Sequence, residues 1–283
     1  MSNNSPEDGV TLVLGTGLVK CAAALGVVRV LRREHIPIRE IITSSAGAIF
    51  GAVISYDIPI AQTQQFVTEI ADFYRNASLS TYRRLQLLFP RIFGFDETFG
   101  LADNTKFVAL FQRLLRDKTL QDGAVPLSVV ATNFANGERV LIEHGPAWQA
   151  ICASCSPLGL LPPLKINGQL LLDGAVSEPL PLSIAVERQA KVIIALGFEN
   201  PYLDQVRSLP NYTNQSRNVS VNHLLKAQIA LTNLASESEI IPIIPKFGMI
   251  FGQTDAQKIP LIIDKGAETS EPVINYIKTL LNR

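Results

Sequence analysis

The chain has 283 residues with 25 basic and 25 acidic side chains, and this formal net charge of zero gives no reason to expect a nucleic-acid partner. Hydrophobic residues make up 47% of the chain and charged residues 18%, which indicates a substantial buried core. No apolar run approaches the ~18 residues that a membrane-spanning helix needs.

Strands and helices alternate in the predicted order of elements, which indicates an α/β fold with a mostly parallel central sheet. In chain order, the patterns predict a strand at Val10–Leu14, a helix at Val19–Arg33, a strand at Arg39–Thr43, helices at Ala46–Ser55 and 60–76, and strands at Val125–Ala131, Arg139–Glu143 and Lys191–Leu196. We expect a disordered tail over residues 1–9 and one domain over residues 10–283.

Three segments interrupt this alternation. Residues 78–103 mix aromatic, leucine and arginine side chains and are predicted to form a lid or an insertion. Residues 200–222 are polar and are predicted to be mobile, whereas residues 240–252 are apolar but broken by proline and glycine. The start of the chain lacks the basic and apolar regions of a secretory signal, so we expect a cytoplasmic protein.

The cysteines are few and odd in number, which argues against a disulfide framework. They are Cys21, Cys152 and Cys155. The Cys152-x-x-Cys155 spacing has no second pair of ligands for a metal or redox site, so it is more typical of small thiols packed in a core.

A glycine turn follows the first strand, in the segment T-L-V-L-G-T-G-L-V-K-C. Backbone N–H groups at Gly15 and Gly17 would suit a bound anion. A dinucleotide site is disfavoured because Lys20 stands at the third glycine position and no acidic residue ends the second strand. An oxyanion hole and a close-packed strand–helix corner both remain open.

A second turn, I-T-S-S-A-G-A over residues 42–48, carries two adjacent serines. A nucleophile elbow needs small residues two positions before and after the serine. Gly47 therefore selects Ser45 over Ser44, although Thr43 stands where glycine is usual. The alternative is that Ser45 caps the following helix.

A serine nucleophile needs a base, and none of the three histidines has the setting of a catalytic one. They are His35, His144 and His223, and His35 is expected at the opposite end of the sheet from Ser45. A carboxylate is the other option. Asp173 follows a predicted strand after an Asn167-Gly168 hairpin turn, although it also fits an ordinary turn.

Five segments occur in one order: L-G-T-G-L-V-K-C-A-A-A-L-G, I-T-S-S-A-G-A-I-F-G-A, A-T-N-F-A-N-G-E, A-S-C-S-P-L-G-L-L-P-P-L and D-G-A-V-S-E-P-L-P. Together they resemble the motifs of the patatin-like phospholipases, specifically the single-domain bacterial type. The resemblance covers roughly residues 10–200. It implies a patatin-like three-layer sandwich, with a central sheet flanked by helices.

The resemblance also implies hydrolysis of lipid acyl esters by a Ser–Asp dyad, without a metal or cofactor. Carried over by position, Ser45 is the nucleophile and Asp173 is the base. The remaining implied site residues are oxyanion donors at Thr16, Gly17 and Leu18, and supporting positions at Gly15, Lys20, Thr43, Gly47, Gly174 and Ala175. The implied partners are a lipid or acyl-ester substrate and a peripheral membrane contact, to which 84–101 and 240–252 would contribute unless they are ordinary packing. Nucleic acid and dinucleotides are not expected.

Several positions, Thr16 and Ala24 among them, depart from the family pattern, and three departures bear most directly on activity. Leu18 and Cys21 replace glycines of the first turn, where their side chains would crowd the oxyanion position or change the loop. Thr43 replaces the glycine of the elbow. These departures support a second hypothesis, a weakly active or inactive relative that binds lipid or a protein partner.

Overall fold

The computed structural model describes residues 9–76, 79–247 and 255–282. Its strands are β1 Val10–Leu14, β2 Ile38–Ser44, β3 Leu127–Asn133, β4 Arg139–Ile142, β5 Leu164–Ile166, β6 Gln169–Asp173, β7 Val192–Leu196 and β8 Glu239–Ile243. Its helices are α1 Ala23–Arg33, α2 Ala46–Ser55, α3 Ile60–Asn76, α4 Thr81–Leu88, α5 Pro90–Phe93, α6 Thr105–Leu115, α7 Ala147–Ser154, α8 Leu182–Glu187, α9 Leu209–Ala235, α10 Ile259–Ser270 and α11 Ile274–Leu281.

The strands form one sheet with the pairing order β5-β6-β3-β2-β1-β7-β8, and β4 also pairs with β3. The run from β3 through β2, β1 and β7 to β8 is parallel, whereas β4, β5 and β6 pair antiparallel. The predicted mostly parallel sheet is therefore confirmed. The Asn167-Gly168 turn joins β5 to β6 with positive φ at both residues, as the tight hairpin required.

Side chains alternate between the two faces of the sheet and feed two hydrophobic cores. Leu12 and Leu14 of β1 face the larger core, against α1, α2 and α10, whereas Val13 faces the smaller one. The smaller core is closed by α8 and α9, through residues such as Leu182 and Leu225. Helices therefore cover both faces, which gives the expected three-layer arrangement.

Some elements differ from those that the sequence predicted. The predicted helix Val19–Arg33 is split, because Leu18–Ala22 forms a 3-10 turn before α1. Residues 209–222, expected within a mobile segment, belong to the long helix α9. The tail over residues 1–8 and the apolar stretch from 248 to 252 lie outside the described residues, so those expectations stay predictions.

Candidate active site

Ser45 lies in a strained turn between β2 and α2. Its backbone has φ 54° and ψ −132°, a conformation that non-glycine residues rarely adopt and that often marks functional sites. A Cβ on Gly47 would lie 2.5 Å from the Leu14 carbonyl oxygen, so only glycine fits two residues after Ser45. The Ser45 hydroxyl does not cap α2. The turn therefore has the geometry of a nucleophile elbow, not of a simple helix cap.

The register of the sheet brings Ser45 and Asp173 together. On β3, Val130 pairs with Ser44 and the next residue, Ala131, pairs with Asp173. Because β4 occupies the opposite edge of β3 at the same residues, β2 and β6 must meet end to end along one edge. The Ser45 Oγ donates to Asp173 Oδ2 at 3.2 Å, although the two residues are 128 positions apart.

Gly174 allows the two strand ends to approach. A Cβ at this position would lie 2.3 Å from the Val130 carbonyl oxygen and 2.7 Å from the Ser44 Oγ. The Ser44 hydroxyl is itself buried and has no hydrogen-bond partner among the described residues. Of the two adjacent serines in the described structure, Ser45 is the one whose hydroxyl bonds to the Asp173 carboxylate.

Asp173 is buried and held by three further hydrogen bonds. Its Oδ1 accepts from the Ala175 N–H at 2.9 Å, its N–H donates to the Ser156 carbonyl at 3.0 Å, and its own carbonyl accepts from Thr132 Oγ1 at 2.9 Å. Burial raises the pKa of Asp173 to about 6, against the opposing effects of the Ala175 N–H, the Ser45 hydroxyl and the Arg217 charge. A carboxylate with this pKa is ionised at neutral pH yet basic enough to accept a proton.

Two residues that had no predicted role in the site hold the backbone of Ser45. Ser154 Oγ accepts from the Ser45 N–H at 2.8 Å and donates to the Val130 carbonyl at 2.6 Å. The Cys155 thiol donates to the Ser45 carbonyl at 3.1 Å. The A-S-C-S segment was visible in the sequence, but nothing in it indicated which atoms these side chains contact.

In the described part of the chain, two of the three N–H groups expected to bind an oxyanion have no backbone acceptor. The Thr16 N–H donates to the Pro179 carbonyl at 2.9 Å and is therefore occupied, as is the Gly15 N–H, which donates to Leu196 at 3.0 Å. Within the described residues, the N–H groups of Gly17 and Leu18 have no such acceptor. A Cβ on Gly17 would lie 2.3 Å from the Phe198 ring, which explains the glycine.

The departures from the family pattern are accommodated in different ways. Leu18 keeps a glycine-like backbone with φ 52°, and the Cys21 thiol points back to donate to the Gly15 carbonyl at 3.3 Å. The Thr43 hydroxyl donates to the Ser128 carbonyl at 2.9 Å. A Cβ on Gly51 would lie 2.6 Å from the Thr43 methyl carbon, so the methyl group occupies space that the glycine leaves open. The elbow therefore forms with threonine in the glycine position.

Lys20 is buried beside this turn. Its ammonium group donates to the Glu199 carbonyl at 3.1 Å and to Asn200 Oδ1 at 3.3 Å, and it lies 5.9 Å from the centre of the Phe198 ring. Burial lowers the pKa of Lys20 from its ordinary value, although the nearby Cys21 opposes this. Lys20 thus ties the turn to the loop after β7.

The histidines and cysteines have no place in the Ser45–Asp173 hydrogen bond. The carboxylate partner of Ser45 is Asp173, and no hydrogen bond in the described part of the chain links a histidine to either residue. The three cysteines are buried and not paired with one another. Among residues 9–76, 79–247 and 255–282, no cluster of three or more histidine, cysteine, aspartate or glutamate side chains could hold a metal ion. In the same residues, no helix is long and apolar enough to cross a membrane.

An apolar cavity of about 430 Å³ opens near the end of β6. Its walls include Phe95, Phe99, Phe134, Leu158 and Leu172. Leu172 immediately precedes Asp173, so the cavity and the dyad share a strand. A volume of this size suits an apolar ligand of moderate length.

Comparison with known proteins identifies the family of the chain. A family model described as patatin-like phospholipase matches residues 12–186, which is more than half of the chain. The chain therefore belongs to the patatin-like phospholipase family. Every residue of the glycine turn, the elbow and the strand end at Asp173 lies inside the matched range.

Relatives share low identity with the chain. An uncharacterized NTE family protein of Mycobacterium bovis is 26% identical over 240 residues, covering 84% of this chain and 61% of its own length. A lysophospholipase NTE1 of Kluyveromyces lactis is 28% identical over 194 residues, covering 66% of this chain and 12% of its own length. The chain thus spans less than two thirds of these proteins. Among solved structures, VipD from Legionella pneumophila is similar with a TM-score of 0.46 and 12% identity, covering 97% of this chain and 67% of that one.

Proposed function

We propose that this protein is a serine acyl hydrolase of lipid esters, with Ser45 as nucleophile and Asp173 as base. The observation that carries the proposal is the 3.2 Å hydrogen bond between the Ser45 hydroxyl, held in a strained elbow, and a buried carboxylate. Histidine is not required, because Asp173 can take the proton directly.

In the proposed mechanism, Ser45 Oγ attacks the ester carbonyl while its proton passes to Asp173 Oδ2. The N–H groups of Gly17 and Leu18 would stabilise the oxyanion, and each such donor is typically worth ~3–4 kcal/mol in the barrier. The protonated Asp173 then returns its proton to the departing alcohol. Water, deprotonated by the same carboxylate, cleaves the acyl-enzyme, and the released Ser45 oxygen regains its proton.

Lipid is the proposed substrate class, and a lysophospholipid is the first compound to test. The support is the family itself, the apolar cavity beside β6, and relatives whose names describe lysophospholipases. Such a substrate resides at a lipid surface, so we also propose a cytoplasmic protein with peripheral membrane contact. We expect no binding of NAD(P) or nucleic acid.

The test is hydrolysis of a panel of lysophospholipids and long-chain esters by the wild type, Ser45→Ala and Asp173→Asn. We expect both variants to lose nearly all turnover, whereas Ser44→Ala, whose hydroxyl contacts no acceptor among the described residues, should keep the substrate profile. Equal turnover by the wild type and Ser45→Ala would refute the assignment of the nucleophile.

A weakly active or inactive relative remains the second candidate, and it is supported by Leu18, Cys21 and Thr43. It predicts that Leu18→Gly and Cys21→Gly together raise esterase activity well above the wild type. The left-handed backbone already adopted by Leu18 favours the first candidate, because the loop keeps the shape that glycine would give it. We therefore expect at most a few-fold change in these variants.

A further inference from the structure

The structure contains an exposed apolar surface that the proposed catalytic site does not use. Of the twenty exposed large apolar side chains in the described residues, seven fall between positions 82 and 101, so exposure is concentrated in one short segment. The middle five of these seven side chains form an apolar ridge, which consists of Leu87, Leu88, Phe89, Ile92 and Phe95. Ile92 is 76% exposed and Leu88 is 69% exposed.

The apolar ridge lies on an ordered support. Tyr82 donates from its hydroxyl to the Phe93 carbonyl at 3.1 Å, and the Gln86 amide donates to the Gly94 carbonyl at 3.1 Å. The segment is also fixed to the loop after α7, because the Leu101 N–H donates to the Gly159 carbonyl at 3.0 Å. The apolar side chains are thus held outward by a bonded scaffold.

Basic groups border the apolar ridge. Arg83 and Arg84 lie one helical turn before Leu87 and Leu88, so they share a side of α4 with them, and Arg91 directly precedes Ile92. None of these arginines has an ion-pair partner among the described residues. The Arg83 guanidinium lies 5.4 Å from the centre of the Phe99 ring, which lines the cavity.

Acidic groups lie at the C-terminal end of the segment, where Asp96 and Glu97 directly follow Phe95. Asp96 accepts from the Thr98 N–H at 2.9 Å and Asp103 from the Thr105 N–H at 2.8 Å, while Glu97 lines the cavity. Positive charge therefore borders the α4–α5 part of the apolar ridge at Arg84 and Arg91, and negative charge borders its end at Phe95. This polarity fits phosphate groups above apolar chains, as at a bilayer surface.

We propose that the α4–α5 segment docks on a phospholipid bilayer, with the apolar ridge inserted among the acyl chains and Arg84 and Arg91 at the phosphates. The cavity is lined by Phe95 of the ridge and by Leu172 of β6, so it offers a place for an acyl chain beside the docked segment. This proposal rests on lipid being the substrate, but docking itself does not depend on catalysis.

The test is co-sedimentation of full-length Ser45→Ala with vesicles of phosphatidylcholine, with and without phosphatidylglycerol. Placing Leu88→Glu and Ile92→Glu in this background should lower the vesicle-bound partition by roughly tenfold or more. Arg84→Gln with Arg91→Gln should remove the preference for phosphatidylglycerol, and added salt should weaken binding of the parent.

The matched control is Leu231→Glu with Leu234→Glu on α9, where the leucines are 65% and 86% exposed. This pair should bind vesicles as the parent does, and thermal unfolding should confirm that all variants fold. Undiminished binding of the Leu88→Glu, Ile92→Glu variant, loss of binding in the α9 pair instead, or no binding by the parent would each overturn the proposal. Failure of the proposed function would appear separately, as hydrolysis that survives Ser45→Ala.

Discussion

At the scale of single residues, the site depends on how non-glycine residues fill glycine positions. Leu18 adopts the left-handed backbone itself, with φ 52°, whereas Thr43 keeps its position because Gly51 makes room for its methyl group. Ser45 is strained as well, and hydrogen bonds from both sides of its peptide backbone hold it. The conformation of Ser45 is therefore maintained by Ser154 and Cys155, which bond to its backbone.

Ser154 is the most informative of these neighbours, because its hydroxyl accepts from the Ser45 N–H at 2.8 Å. Replacing it with alanine leaves that buried N–H without a partner, and we expect kcat to fall about 10- to 100-fold with little change in KM. Steady-state kinetics on a soluble ester would measure this.

The control for Ser154 is Ser156→Ala. The Ser156 hydroxyl donates to the Cys152 carbonyl at 2.8 Å and makes no hydrogen bond to Ser45 among the described residues, so kcat should change much less. The role given to Ser154 is wrong if both variants lose the same activity, since that result would indicate general disturbance of α7.

The pKa of Asp173 predicts the pH dependence of the reaction. Because burial raises that pKa to about 6, the carboxylate should be protonated, and the enzyme inactive, below this pH. For an uncharged ester, kcat/KM should rise through a single ionisation near pH 6 and then level off. A profile that is flat between pH 5 and pH 8 would exclude a buried carboxylate as the base.

At the scale of secondary-structure elements, most strands could be predicted from the sequence to within about two residues. Short apolar runs that are buried along their whole length, such as Val10–Leu14, carry their own signal. Helix α9 could not be predicted, because it is largely exposed and polar. Its anchors are tertiary, with Asn222 donating to the Asn200 carbonyl at 2.8 Å and Asn218 to the Pro201 carbonyl at 3.0 Å.

The packing of α2 on β2 gives a prediction at this scale. Gly51→Ala would place a Cβ 2.6 Å from the Thr43 methyl group, so we expect a loss of about 1–3 kcal/mol in the free energy of unfolding. Thr43→Ser removes that methyl group and keeps the hydroxyl that bonds to Ser128. In the double variant most of the loss should disappear, because the two positions share one space.

Urea unfolding of the four proteins in this cycle would measure the coupling. Additive losses would mean that Thr43 and Gly51 do not compete for space. In that case the tolerance of threonine in the elbow would need another explanation.

At the scale of the whole molecule, the sheet joins parts of the chain that the sequence separates. The order of motifs predicted that Ser45 and Asp173 act together, but it carried no information on how they meet. The two residues meet because β2 and β6 pair with the same edge of β3. Parallel β2 ends at Val130 of β3, and antiparallel β6 begins its pairing at the next residue, Ala131. The contacts of Ser154 and Cys155 follow from the same long-range arrangement, so no local pattern indicated them.

The central claim is that Ser45 is an activated nucleophile, and covalent labelling with a fluorophosphonate tests it most directly. Mass spectrometry should locate the adduct on Ser45 in the wild type and in Ser44→Ala, find none in Ser45→Ala, and show labelling roughly a hundredfold slower in Asp173→Asn. An adduct on Ser44, or labelling that persists in Ser45→Ala, would contradict the account.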